Sequence, residues 1–77
     1  MVNIKFFNAK WCGPCKQMKP HIDQLISEGY SIQTIDIDEQ PDLAKQYNVR
    51  SVPTLVVNGN SLVGYRDKSQ IQEAVGK

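Results

Sequence analysis

The chain has 77 residues, 40% of them apolar and 22% charged, with a formal net charge of +1. That length predicts one small domain over residues 1–77, a size at which folding buries only about 60% of the surface exposed by the unfolded chain. The near-neutral charge argues against nucleic acid or an anionic membrane as the main partner, and no apolar run is long enough to span a bilayer.

In chain order, Val2, Ile4 and Phe6 alternate with Asn3, Lys5 and Phe7, a strand pattern that ends near Asn8. The strand pattern starts at once, with no apolar signal core before it, so cytoplasm is the default compartment and thiols there stay reduced. Next comes Lys10-Trp11-Cys12-Gly13-Pro14-Cys15-Lys16, which holds both cysteines of the chain. Three readings compete for this pair.

Cysteines three positions apart on a helical turn fall inside the Cα window of about 4.4–6.8 Å that a disulfide tolerates. A ring this small removes little entropy from the unfolded chain, which makes a structural staple a poor explanation. Structural zinc takes four ligands, and His21 is the only histidine, so a metal or iron–sulfur site would have to be shared between two chains. Such a binding module remains the alternative of another class. A reversible dithiol–disulfide couple beside a βαβ pattern is the reading this setting favours.

From Cys15 onward, Met18, Ile22, Leu25 and Ile26 mark the apolar stripe of a helix reaching about Glu28, with Gly29 as its stop. Cys15 is thus expected to face inward. Cys12 falls where the helix opens, beside unpaired N–H groups that favour an anion, and is expected to be open to solvent and the more accessible sulfur. Lys10 and Lys16 flank the pair and either favour the thiolate or are simply solvated. Gly13 admits a partner's backbone, Pro14 suits a first helical turn, and Pro20 is expected to bend the helix.

Ser31 to Asp38 reads as a second strand covered on both faces, completing a right-handed βαβ unit. Asp38 or Gln40 can cap a short helix that begins with Pro41 and runs to about Tyr47, ending at Asn48. Asp36, Asp38 and Glu39 are expected to be strand-end and capping carboxylates. Asn58-Gly59 predicts a hairpin between Thr54–Val57 and Ser61–Val63. Asp67 with Gln70 resembles a capping box, and Ile71, Ala74 and Val75 supply the buried stripe of a last helix. The predicted order is β-α-β-α-β-β-α.

The string Trp11-Cys12-Gly13-Pro14-Cys15-Lys16 resembles the active-site sequence of the thioredoxin family, as do Gln40-Pro41 and Val52-Pro53-Thr54. This resemblance implies an α/β minimal thioredoxin fold, with a four-stranded mixed sheet and three helices on both faces. It implies a thiol–disulfide oxidoreductase in which Cys12 attacks a protein disulfide and Cys15 resolves the mixed disulfide. Pro53 is expected to be cis, exposing Val52 to a substrate peptide, with Trp11, Gly13, Pro14, Gly64 and Tyr65 completing the docking surface. Tyr65 alternatively is a strand-end aromatic with its hydroxyl in water, and His21 is expected to be a plain surface residue.

Two positions depart from the family pattern: Phe6 replaces its buried aspartate and Thr34 its partner lysine. Cys15 must then lose its proton by another route, through water or to the leaving thiolate. Val63-Gly64-Tyr65-Arg66-Asp67 lacks the glutaredoxin glutathione pattern and is similar to glutaredoxin-like redoxins that feed ribonucleotide reductase. Electrons are therefore expected from thioredoxin reductase, with glutathione as the alternative donor. The resemblance implies a monomer with no bound cofactor, NADPH acting only through the reductase.

Overall fold

The computed structural model describes residues 3–76, so Val2 lies outside the described residues. The elements are β1 (Ile4–Asn8), α1 (Gly13–Ser27), β2 (Ile32–Asp36), α2 (Pro41–Gln46), β3 (Thr54–Val57), β4 (Asn60–Val63) and α3 (Lys68–Val75). They form one mixed sheet in the order β2-β1-β3-β4, with β1 parallel to β2 and the other neighbours antiparallel. The predicted order of elements is the observed one. No helix among the described residues is long and apolar enough to cross a membrane.

Each face of the sheet carries its own core. On one, Ile4, Phe6, Leu55 and Val57 pack against Met18, Ile22 and Leu25 of α1 and Ile71 of α3. On the other, Phe7, Ile35 and Val56 meet Ala44 of α2. Helices thus cover both faces, and the strands that must be apolar on both sides are the central pair, β1 and β3. Strand β3 is buried at every position.

β2 differs from its prediction on two counts. It is an edge strand, paired only with β1, and it ends at Asp36 instead of Asp38. The cause of the early end is local: the Asp36 carboxylate accepts the N–H of Asp38 at 2.8 Å and of Glu39 at 3.4 Å, turning the chain away from the sheet.

Helix α1 buries Cys15, Met18, Ile22 and Leu25. Ile26 is 41% exposed instead, because it lies a further 100° around the helix from Leu25, beyond the covered stripe. Pro20 lies on the exposed side, and α1 continues through it. The helix closes with Gly29 at φ 104°, whose N–H donates to Ile26 O while that of Tyr30 donates to Leu25 O. This is a Schellman arrangement, and it is repeated after α2 with Asn48 at φ 58°.

At the start of α2 the cap position is Gln40, whose side chain makes no capping bond. In the hairpin, Asn58 and Gly59 both take positive φ, the geometry of a type I′ turn, which lets β4 begin one residue earlier than predicted, at Asn60. The Asp67–Gln70 capping box is present in full. Of the stripe predicted for α3, Ile71 is buried and Val75 half-buried, but Ala74 is exposed because a helix this short touches the core along one narrow line.

Candidate functional site

The turn Ala9–Cys12 closes through a bond from Cys12 N–H to Ala9 O and delivers Cys12 to the N-cap of α1. Gly13 and Pro14 fill the first turn, where the missing N–H of proline leaves nothing unsatisfied. Cys12 and Cys15 are joined as a disulfide with their Cα atoms 5.2 Å apart. The Cys12 Sγ accepts the backbone N–H of Cys15 at 3.2 Å. That bond is the distinction between the two sulfurs, because it gives one of them a fixed donor at the positive end of a helix. No acidic residue in the first turn competes for that end.

Exposure does not distinguish them. Cys12 is 5% exposed and Cys15 3%, so the expectation that Cys12 is open to solvent is corrected. Ala9, Val52 and Ile37 pack with the buried pair, a long-range effect that helical periodicity does not report. The open side is the neighbouring backbone, since a Cβ at Gly13 would meet nothing within 4 Å.

The other predicted site residues divide into two groups. Val52 packs directly on the cysteine cluster, and the Val52–Pro53 peptide is cis, as the family resemblance implied. Gly64 joins them through its N–H, which donates to Pro53 O at 2.9 Å; its φ of 101° suits a residue without a side chain. Trp11 and Tyr65 stand further out, at 65% and 45% exposure.

Both aromatics have partners that sequence reasoning missed. Trp11 Nε1 donates to Asp38 Oδ2 at 2.8 Å, so Asp38 does more than end a strand. Tyr65 places its hydroxyl 3.0 Å from His21 Nε2, with the rings edge to face, so the hydroxyl is bonded and His21 is not a plain surface residue. One of these had a usable signal: in a parallel βαβ unit, the segments after the two strands lie side by side, which brings residues 9–11 to residues 37–39. Lys10 faces Glu39 at 3.5 Å with both side chains exposed, so its effect on Cys12 is screened.

Phe6 is 1% exposed, and its register partner Thr34 is on the surface. Phe6 and Cys15 line one depression, so an aromatic ring stands beside Cys15 at the position to which the resemblance assigns the family's carboxylate. Among the described residues, no group of three or more His, Cys, Asp or Glu side chains could hold a metal ion.

A cysteine pair at the N-terminus of a helix, backed by this sheet and faced by a cis-proline loop, defines a dithiol–disulfide exchange protein. The family model described as Thioredoxin matches residues 2–77. The thioredoxin of Chlamydia trachomatis serovar D is 39% identical over 84 residues, spanning 100% of this chain and 81% of that protein. Among solved structures, a mutant thioredoxin from Halobacterium salinarum NRC-1 superposes with a TM-score of 0.86 at 36% identity, covering 96% of this chain and 71% of that one. Mitochondrial thioredoxin 3 from Saccharomyces cerevisiae, in its oxidized form, gives 0.80 at 30% identity and covers 97% and 76%. The chain belongs to the thioredoxin family. It is a thiol–disulfide oxidoreductase, a disulfide reductase whose redox centre is the Cys12–Cys15 pair.

Proposed function

We propose that Cys12 is the attacking sulfur and Cys15 the resolving one, acting on disulfides of other proteins. The bond from Cys15 N–H to Cys12 Sγ carries this assignment. A donor fixed on one sulfur stabilises that sulfur as thiolate, and the thiolate is the nucleophile. Once a partner is bound to Cys12, Cys15 lies one helical turn away and completes the exchange, leaving the protein oxidised and the partner reduced.

The docking surface in this proposal is Trp11, Gly13, Pro14, Val52, Pro53, Gly64 and Tyr65. Exposed aromatic side chains flank a strip whose backbone is open at Gly13 and Gly64, which suits an extended peptide. The protein acts as a monomeric single domain in the cytoplasm and is recycled by thioredoxin reductase, with electrons drawn from NADPH. The thioredoxin-type site and the absence of a glutathione pattern in Val63–Asp67 support this donor.

The test is a coupled assay in which the purified protein reduces a protein disulfide with either donor. Turnover with NADPH and a thioredoxin reductase, and slow turnover with glutathione, is expected. Rapid reduction by glutathione with no response to any thioredoxin reductase would overturn the choice of donor.

A further inference from the structure

The resolving step needs a thiolate at Cys15, and this residue is only 3% exposed. A depression of about 520 Å3 lies beside it, lined by Phe6, Asn8, Thr34 and Asp36 from the sheet and by Lys16 and Lys19 from α1. Strand geometry explains the lining. Phe6 packs against α1, and side chains two apart share a face, so Asn8 lies on that face as well. The parallel register sets Thr34 beside Phe6 and Asp36 beside Asn8. Phe6 offers the thiol no acceptor, and Asp36 is the one carboxylate lining the depression among the described residues.

Asp36 is half-buried, and its carboxylate is held in place by the N–H groups of Asp38 and Glu39. Both bonds fall on Oδ1, so Oδ2 carries no hydrogen bond from the described residues. The remaining charged groups on the depression are Lys10 from the loop before α1, and Lys16 and Lys19 from α1 itself. An ammonium group has no lone pair to accept a proton. Lys10 faces Glu39 and Lys19 faces Asp23.

We infer that Asp36 is the proton acceptor for Cys15, reached through water in this depression. The inference rests on the reading of Cys15 as the resolving thiol. With a partner's sulfur bonded to Cys12, the Cys15 thiol gives its proton to water, which passes one to Asp36 Oδ2. The Cys15 thiolate attacks Cys12 Sγ; the Cys12–Cys15 bond forms as the Cys12–partner bond breaks, and the partner leaves as a thiolate with the electron pair. The dithiol has lost two electrons, the partner's disulfide has gained them, and the proton on Asp36 returns to solvent. Asp36 acts through water, so it is a positioning residue for the proton.

A symmetric aryl disulfide with a coloured thiolate separates the two steps. Reduced protein releases one coloured thiolate when Cys12 attacks and a second when Cys15 resolves the adduct. Asp36→Asn keeps an Oδ1 acceptor for the turn and loses the base. It is expected to slow the second release about tenfold or more at neutral pH, to leave the first within about twofold, and to lose its defect as the pH rises. Asp36→Glu is expected to restore most of the second rate. Asp36→Ser, whose hydroxyl also serves such a turn, is expected to behave as Asp36→Asn.

A second release in Asp36→Asn at the unmodified rate across the pH range would overturn the inference, sending the proton to the leaving thiolate instead. Equal slowing of both releases would overturn it too, leaving Asp36 only its turn. Absence of any second release in the unmodified protein would instead remove the reading of Cys15 on which the inference rests.

Discussion

The indole of Trp11 hydrogen-bonds the carboxylate of Asp38 across 27 positions of sequence, tying the loop before the cysteines to the turn after β2. The bond lies at the surface, so its contribution is positional more than energetic. It holds a largely exposed aromatic ring next to Cys12 in one orientation, and a partner then meets the ring without having to order it first.

Asp38→Ala is accordingly expected to raise KM for a protein disulfide several-fold while leaving the reduction of a small aryl disulfide nearly unchanged. Stability should fall by less than about 1 kcal/mol, as for an exposed hydrogen bond. Steady-state kinetics on the two substrates checks the split, and loss of both activities together would assign Asp38 a structural role.

The division of labour between the cysteines is open to direct capture. Cys15→Ser is expected to accumulate covalent adducts with disulfide-containing proteins at position 12, seen by mass analysis without reductant, because no thiol remains to release them. Cys12→Ser should yield few. Recovery of the same adducts at position 15 would reverse the assignment.

Phe6 and Ile26 offer a contrast within one core. Phe6 is 1% exposed between β1 and α1, and Phe6→Ala is expected to cost about 3–5 kcal/mol in denaturant unfolding. Ile26 is 41% exposed, and Ile26→Ala should stay within about 0.5 kcal/mol. Similar losses at both positions would contradict the observed edge of the α1 stripe.

At the far end of the chain, Asp67 accepts the Gln70 N–H at 2.9 Å, and the Gln70 side chain accepts the Asp67 N–H at 3.0 Å. Asp67→Ala is expected to remove about 1 kcal/mol, a fall in Tm of roughly 4–8 °C for a domain of this size. Thermal unfolding measures it.

Much of this was legible in the chain because the determinants are local. Gly29 and Asn48 close their helices, Asn58-Gly59 turns the hairpin, and Asp67 with Gln70 opens α3, each within a few residues. What stayed hidden depends on distant neighbours. Val52 and Ile37 pack on the cysteine cluster from other parts of the chain, and Cys12, placed at a helix opening, is nonetheless buried. The Tyr65–His21 bond spans 44 positions, and no spacing rule joins them. Ala74 fits the helical stripe, but whether a stripe position finds a core depends on the sheet beneath it.

With both cysteines buried, unequal chemistry at the two sulfurs rests on the N–H of Cys15 aimed at Cys12. Alkylation of the reduced protein across pH, with each cysteine followed by mass mapping, tests this most directly. Cys12 is expected to react first and to keep reacting at pH values where Cys15 has stopped. Equal rates at the two positions over the whole range, or earlier reaction at Cys15, would contradict it.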